Sequence, residues 1–278
     1  MTDRPMRLLI IGAHPDDADY HAGGLAALYR AAGHDVLMVS LTNGDAGHHA
    51  EPGPALATRR RAEANAAAAV IGAGYLVLDN HDGELLPTLD NRRQVIQLIR
   101  SYDPDLVLTH RPNDYHPDHR YTSQLVQDAA YMVTVPAVAP GTPHLSRNPV
   151  IMYLPDEFQK PYPFQPAIAI DVGPVLDKIV AMLHCHVSQF YEWLPYNTGT
   201  VDQVPRVEAA RRERLAGQVR PRLERQADRF RSLLASGYGP ERGAAIEYAE
   251  GFEPCEYGAP FDEAARARLF PFVPKGRP

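Results

Sequence analysis

Only two cysteines, Cys185 and Cys255, occur in 278 residues, and neither sits in a C-x-x-C or zinc-finger spacing. Their scarcity excludes a disulfide scaffold and a dithiol redox site, and it implies a reducing, cytoplasmic setting in which both are structural. No apolar run is long enough to cross a bilayer, and the N-terminus enters its first apolar run without a signal-peptide layout. Long basic runs are missing too, and the net charge is −6, so neither nucleic acid nor an anionic membrane is an expected partner. Internal repeats and linker-like stretches are also absent. What remains is an ordinary globular composition, 45% hydrophobic and 22% charged. The expected organisation is one domain over 1–278, with a core of about 6–192 and a C-terminal helical extension of about 200–278.

The first stretch with both a structural and a chemical signal is Met6 to Gly24. Leu8 to Ile11 is a short apolar run closed by Gly12, which reads as a buried strand, and His14-Pro15-Asp16-Asp17 follows it. Pro15 stiffens this turn. A helix is predicted from His21 to Ala32 with Gly33 after its end. Strands are predicted at Val36–Leu41, Tyr75–Leu78 and Asp105–Thr109. Helices are predicted at Leu56–Ile71 (closed by Gly72), Arg92–Ser101 and Tyr121–Met132. Four strand–helix alternations imply an α/β fold, a Rossmann-like, mostly parallel sheet flanked by helices. Beyond them come a Pro-rich loop at 134–149 of the kind that lines or covers a site, and short strands at Val150–Leu154 and Ala167–Asp171. Helices at Pro174–Tyr191 and Val207–Leu234 follow, the second with its charges on a solvated face.

In such a sheet the loops leaving the strands open on one edge, where ligands bind. The first carries His14, Asp16 and Asp17; the second Asn43, Asp45 and His48; the third Asp82; the fourth runs from His110 through His116 and Asp118 to His119. Topology can therefore bring His14, an aspartate of the first loop and His119 together. Two histidines and a carboxylate form a recurring catalytic zinc set, with an open position for water. Either Asp16 or Asp17 satisfies the spacing as ligand, and the other would be a general base. His116 could stabilise an oxyanion or protonate an amine. Plainer roles remain for each: helix caps for the aspartates, a polar strand end for His110, turn formation for Asn43 and Gly44.

The pairing of HPDD after the first strand with PNDYHPDH after the fourth resembles the LmbE-like, or PIG-L, zinc-dependent N-deacetylases. Members of that family release acetyl groups from N-acetylglucosamine-type substrates, and some relatives cleave mycothiol conjugates. The resemblance implies one Zn2+ per chain held by His14, Asp17 and His119, with Fe2+ as another acceptable ion. It makes Asp16 the base and His116 the oxyanion-stabilising or acid histidine. The R-x-x-E pattern at Arg60 and Glu63 makes Arg60 a substrate contact, with Asp82 a weaker one; His186, in a His-x-Ser-Gln match, is placed towards the cleft or packed in its helix. Asn43 and Asp45 join them on the binding edge. The implied activity is deacetylation of an N-acetylated sugar or glycoside, with an amidase on a larger acyl group or thiol conjugate as alternative. Homo-oligomers of several sizes occur among relatives. A Rossmann dinucleotide-binding protein is disfavoured because Gly12-Ala13-His14-Pro15 is not the glycine fingerprint. A non-catalytic binding module on this scaffold would hold no metal.

Overall fold

The computed structural model describes residues 4–274. Its centre is β1 (Arg7–Gly12), in which Leu8 to Ile11 are fully buried. Successive side chains of a strand point to opposite faces. Leu8 and Ile10 therefore enter one core and Leu9 and Ile11 the other. A strand buried on both sides needs a continuous apolar run, which is what this stretch provides. Around it lie β2 (Asp35–Thr42), β3 (Gly74–Asn80), β4 (Leu106–Thr109), β5 (Val150–Tyr153), β6 (Ile168–Asp171) and β7 (Ala249–Pro254), in the order β3-β2-β1-β4-β5-β7-β6. The first five strands are parallel, and β7 runs antiparallel to both β5 and β6.

The helices alternate with the strands as expected: α1 (Asp17–Ala31), α2 (Pro54–Ile71), α3 (Leu89–Tyr102) and α4 (Pro117–Met132). The Leu8/Ile10 face is covered by α1 with α5 (Leu176–Cys185) and later helices; α3 and α4 cover the Leu9/Ile11 face. Gly33 and Gly72 both have positive φ just past the ends of α1 and α2, the predicted closing positions.

Several boundaries differ from expectation. The helix predicted from His21 begins at Asp17, so the first motif runs into α1; the one predicted from Tyr121 begins at Pro117, and His116 and His119 lie at its start as expected. Helix α1 is kinked at Ala22 (φ −142°). The kink frees the amides of Gly24 and Leu25 from the helix ladder, and Glu250 of β7 accepts both, at 2.8 and 2.9 Å. The helix predicted over Pro174–Tyr191 is α5, preceded by a 3-10 turn. It breaks at His186 and continues as a π-helical turn (Ser188–Trp193) into α6 (Leu194–Asn197). The break has a cause: His186 Nε2 bonds Asp19 at 2.8 Å, and Ser188 bonds Glu63 through its N–H and hydroxyl.

The segment after 200 carries α7 (Glu208–Arg229), α8 (Arg231–Tyr238), α9 (Pro240–Ala245) and α10 (Glu263–Leu269). It also supplies β7, which was not expected and which enters the sheet between β5 and β6. The 134–149 loop does not line the cavity described below. It folds around the Arg100 side chain, buried at the end of α3, whose guanidinium donates to the carbonyls of Met132, Val133, Val135, Val138, Ala139 and Thr142.

Candidate metal centre

Strand order reverses between β1 and β4, which pair directly with Ile11 opposite Thr109. The crevice outside the carboxyl ends of two such strands is where an open α/β sheet binds ligands. The loops leaving β1 and β4 carry the HPDD and HPDH motifs. Sheet topology thus places the two stretches side by side.

Asp17, the first residue of α1, folds back over the turn, and its Oδ2 accepts from the N–H groups of Ala13 (2.9 Å) and His14 (2.7 Å). Gly12 permits this approach, because a Cβ there would lie 2.6 Å from the Asp17 Cβ. Burial pushes the Asp17 carboxyl up, but His119 and His110 beside it, with its hydrogen bonds, hold it well below the usual carboxylate range. His14 Nδ1 lies 3.1 Å from His119 Nε2 and 3.5 Å from Asp17 Oδ2, and His119 Nε2 is 3.6 Å from Asp17 Oδ1. Donors bound to one tetrahedral zinc at 2.0–2.1 Å stand about 3.3 Å apart. The spacings bracket that value, and two imidazole nitrogens facing each other beside a carboxylate are the donor chemistry of a divalent cation. The residues fit the group.

The other ring nitrogens have carboxylate neighbours. His14 Nε2 lies 3.1 Å from Asp82 Oδ1 and 3.3 Å from Asp118 Oδ2, and His119 Nδ1 lies 3.1 Å from Asp114 Oδ2. Such neighbours fix which nitrogen is left free. Three overlapping clusters also have donor atoms close together: His14-His116-His119, Asp17-His110-His119 (His110 Nε2 lies 3.1 Å from Asp17 Oδ2) and His14-Asp82-His116-Asp118. Asp118 there already accepts from the N–H groups of Gly83 and Leu85, and neither Asp82 nor Asp118 lines the cavity, whereas Asp17 and His119 do. The set of His14, Asp17 and His119 is therefore better placed than that last cluster to meet a ligand.

His116 caps α4: its Nδ1 accepts from the Asp118 N–H at 3.2 Å. That bond places the neutral ring's proton on Nε2, leaving a donor. Burial, with His14 and His119 nearby, pulls the His116 pKa down. Asp16, one residue before Asp17, lines a cavity of about 820 Å³ that continues past Tyr20, Tyr115 and Phe158 to Arg222 and Arg225 of α7. Arg111, fully buried, pins one wall by bonding Asp156 and the Tyr162 carbonyl, both at 2.7 Å.

The five residues expected to contact substrate are turned elsewhere. Arg60 is 2% exposed and donates from Nη2 to Asp16 Oδ1 at 2.8 Å. Gly44 makes room for it, with φ +72° and no space for a side chain. Asp82 is engaged with His14, and its Oδ2 lies 3.7 Å from Arg60 Nη1. Asn43 holds Asp79 and the Asp45 amide, and Asp45 accepts from His81 and from the Asp82 amide. His186 is wholly buried against Asp19 and does not face the cleft. These placements share one reason: polar groups from the edge loops, α2 and the end of α5 crowd together behind the crevice, and most satisfy one another. Asp114 and the α7 arginines had not been singled out, although Asp114 lay within the recognised PNDYHPDH stretch; Asp118, expected only as a helix cap, instead lies beside His14 Nε2 and accepts from the Gly83 and Leu85 amides.

The family profile described as "PIG-L: GlcNAc-PI de-N-acetylase" matches residues 9–130. The chain is 30% identical to a diacetylchitobiose deacetylase from Thermococcus kodakarensis, over 68% of this chain and 74% of that one. It is 28% identical to a 4-oxalmesaconate hydratase from Pseudomonas putida, over 68% and 76%. The fold superposes with TM-score 0.69 on an N,N'-diacetylchitobiose deacetylase from Pyrococcus horikoshii, at 22% identity and covering 90% and 84% of the two chains. With both motifs inside the matched region and their side chains gathered at the β1/β4 crevice, this chain belongs to the PIG-L (LmbE-like) family.

Proposed function

We propose that this protein is a metal-dependent N-deacetylase that releases acetate from an N-acetylglucosamine-type sugar or glycoside. The observation that carries the reading is the approach of His14 Nδ1 and His119 Nε2 to 3.1 Å, with Asp17 Oδ2 3.5 Å from the first and Asp17 Oδ1 3.6 Å from the second, where Asp16, Asp17 and His119 line the cavity. These three residues would hold one Zn2+, or Fe2+ with the same donors. When bound, such a cation polarises a carbonyl and lowers the pKa of water.

The chain's own residues do the rest. Asp16 has Oδ1 occupied by Arg60, which leaves Oδ2 to take the proton from the attacking water. His116 presents Nε2–H to the oxygen on which negative charge develops at the amide carbon. A protonated Asp16 or His116 then supplies the proton that lets the amine leave, so acetate and the free amino sugar are the products. Arg60 keeps Asp16 oriented, and Asp114 and Asp82 orient the two imidazoles. The two cysteines are free, and no helix among the described residues is long and apolar enough to span a membrane, which accords with a cytoplasmic enzyme.

A second reading has a specific support in the hydratase relative: the same proton-handling set would add water across a conjugated carbon–carbon double bond. Acetate release from a panel of N-acetylglucosaminyl compounds by the zinc-loaded protein, with Asp16→Asn as control, tests the first reading. Release that the control abolishes is the expected result. No release, together with hydration of an unsaturated carboxylic acid, would replace it by the second.

A further inference from the structure

Helix α7 was expected to turn its charges to solvent, yet Arg222, Arg225, Gln226 and Arg229 line the cavity that holds Asp16, Asp17 and His119. Arg229 is engaged: it donates to the Asp156 carbonyl at 2.6 Å and lies over Phe164 and Phe230. Arg222 is different. Its guanidinium lies 4.1 Å from the centroid of the Tyr20 ring, and its Nε and Nη2 are buried without a hydrogen-bond partner. Gln226 Oε1, one turn further along the same face, is likewise buried and unpartnered. Glu250, a buried carboxylate whose charge acts on Arg222, is already committed through both oxygens to the Gly24 and Leu25 amides. The Arg222 pKa is drawn down by burial first, with Tyr20 and Glu250 opposing and Arg225 adding to the fall.

A half-buried arginine with two buried, unpaired guanidinium nitrogens is costly unless something brings it a counter-charge. Arginine's planar fork matches a carboxylate or phosphate with two parallel hydrogen bonds. Tyr20, on the first turn of α1 just after Asp17, lines the same cavity as Asp16, Asp17 and His119 and carries Arg222 over its ring. A side chamber also opens beside Arg222, walled by Phe190, Leu194, Leu215 and Val219. The cavity therefore has a reaction end and a cationic end joined by an aromatic wall.

We propose that Arg222 and Arg225 form an anion subsite that binds a carboxylate or phosphate carried by the substrate at a distance from the reacting group. The proposal rests on the deacetylase reading for the nature of the reacting group: it makes the substrate an N-acetylglucosaminide with an acidic aglycone. Arg222 supplies the fork, and Arg225 meets the anion at the cavity mouth.

The test compares kcat/KM for acetate release from methyl N-acetylglucosaminide with that from N-acetylglucosamine 1-phosphate and from a glycoside of glycolic acid. It uses the zinc-loaded full chain and the variants R222M, R222K and R225A, each checked by thermal melting. The wild type is expected to prefer at least one anionic probe tenfold or more. R222M and R225A should collapse that ratio towards one, and R222K should restore part of it. The phosphate and glycolate arms distinguish the two kinds of anion. Equal rates on neutral and anionic probes, or a ratio untouched by both variants, would overturn the subsite. Should no probe release acetate, binding of N-acetylglucosamine 1-phosphate by calorimetry decides separately. Binding weakened tenfold in R222M and R225A keeps the subsite while the deacetylase reading fails, and binding equal in wild type and variants removes the subsite too.

Discussion

Arg60 and Asp16 are joined by a 2.8 Å ion pair beneath the cavity, so an arginine that sequence alone offers as a substrate contact instead holds the candidate base. Asp16→Asn should retain metal, measured by elemental analysis, and lose about 10²–10⁴-fold in kcat. Arg60→Lys keeps the charge but not the planar fork, and should lower kcat by roughly tenfold with KM little altered. A rise in KM at constant kcat would return Arg60 to the substrate.

His119→Ala and His14→Ala each remove one of the close-set donors. Bound zinc should fall well below one equivalent in both after dialysis, and chelation of the wild type should abolish turnover until zinc is restored. Binding that favours the folded state also raises stability, by about 2.7 kcal/mol when free ligand is 100 times Kd. The melting temperature of the wild type should therefore rise on adding zinc, and that of His119→Ala should not. Full zinc occupancy in His119→Ala would remove it from the ligand set.

Glu250 is fully buried, and burial pushes its carboxyl up to about 7, against two backbone N–H groups and Arg222 that pull it down. A folded-state pKa above the unfolded value of 4.5 means that the folded chain prefers the protonated form. The contribution is complete below pH 4.5 and is lost as pH rises through about 7, amounting to roughly 3 kcal/mol. Urea denaturation across that window should show the wild type losing stability relative to Glu250→Gln by this order. The glutamine also loses one acceptor, but that offset does not vary with pH. Parallel stability curves would show that Glu250 is ionised in the folded protein throughout.

Arg100→Ala should destabilise the fold by about 3 kcal/mol, because six carbonyls of the 132–142 segment lose a shared donor and some of them are screened from water. Since that segment lies apart from the cavity, kcat/KM at a temperature where the variant is folded should stay within twofold of wild type. A tenfold loss would tie the segment to the site.

The alternating units were legible because each parallel strand is buried on both faces and has to be a continuous apolar run, as Leu8 to Ile11 shows. The proposed metal donors could be named from sequence because His14, Asp17 and His119 sit within short motifs at the ends of such runs, and the fold brings these motifs to one crevice. Strand β7 was not: Ala249, Glu250, Gly251 and Glu253 have little strand preference, and they are paired because the sheet and the α1 kink use their backbone and carboxylates. Partners distant in sequence decide the other misses. Nothing local says that His186 will meet Asp19, that Arg60 will meet Asp16, or that Arg222 will lie over Tyr20. The lone cue in α7 was its amphipathic spacing, which puts Arg222 one position before the buried Leu223 and beside, not opposite, the apolar stripe.

The placement of β7 sets an order on synthesis. Strand β6 touches the sheet only through β7, so when β6 leaves the ribosome it has no partner and waits until the last strand is made. Pairings between segments far apart in sequence form late and slowly, and an uncovered strand edge attracts other chains in the meantime. The half of the sheet that carries both motifs is translated first, but the second half of α1 acquires its cap only when Glu250 arrives. Ribosome-bound chains halted before residue 249 would accordingly present an open β5 edge to chaperones.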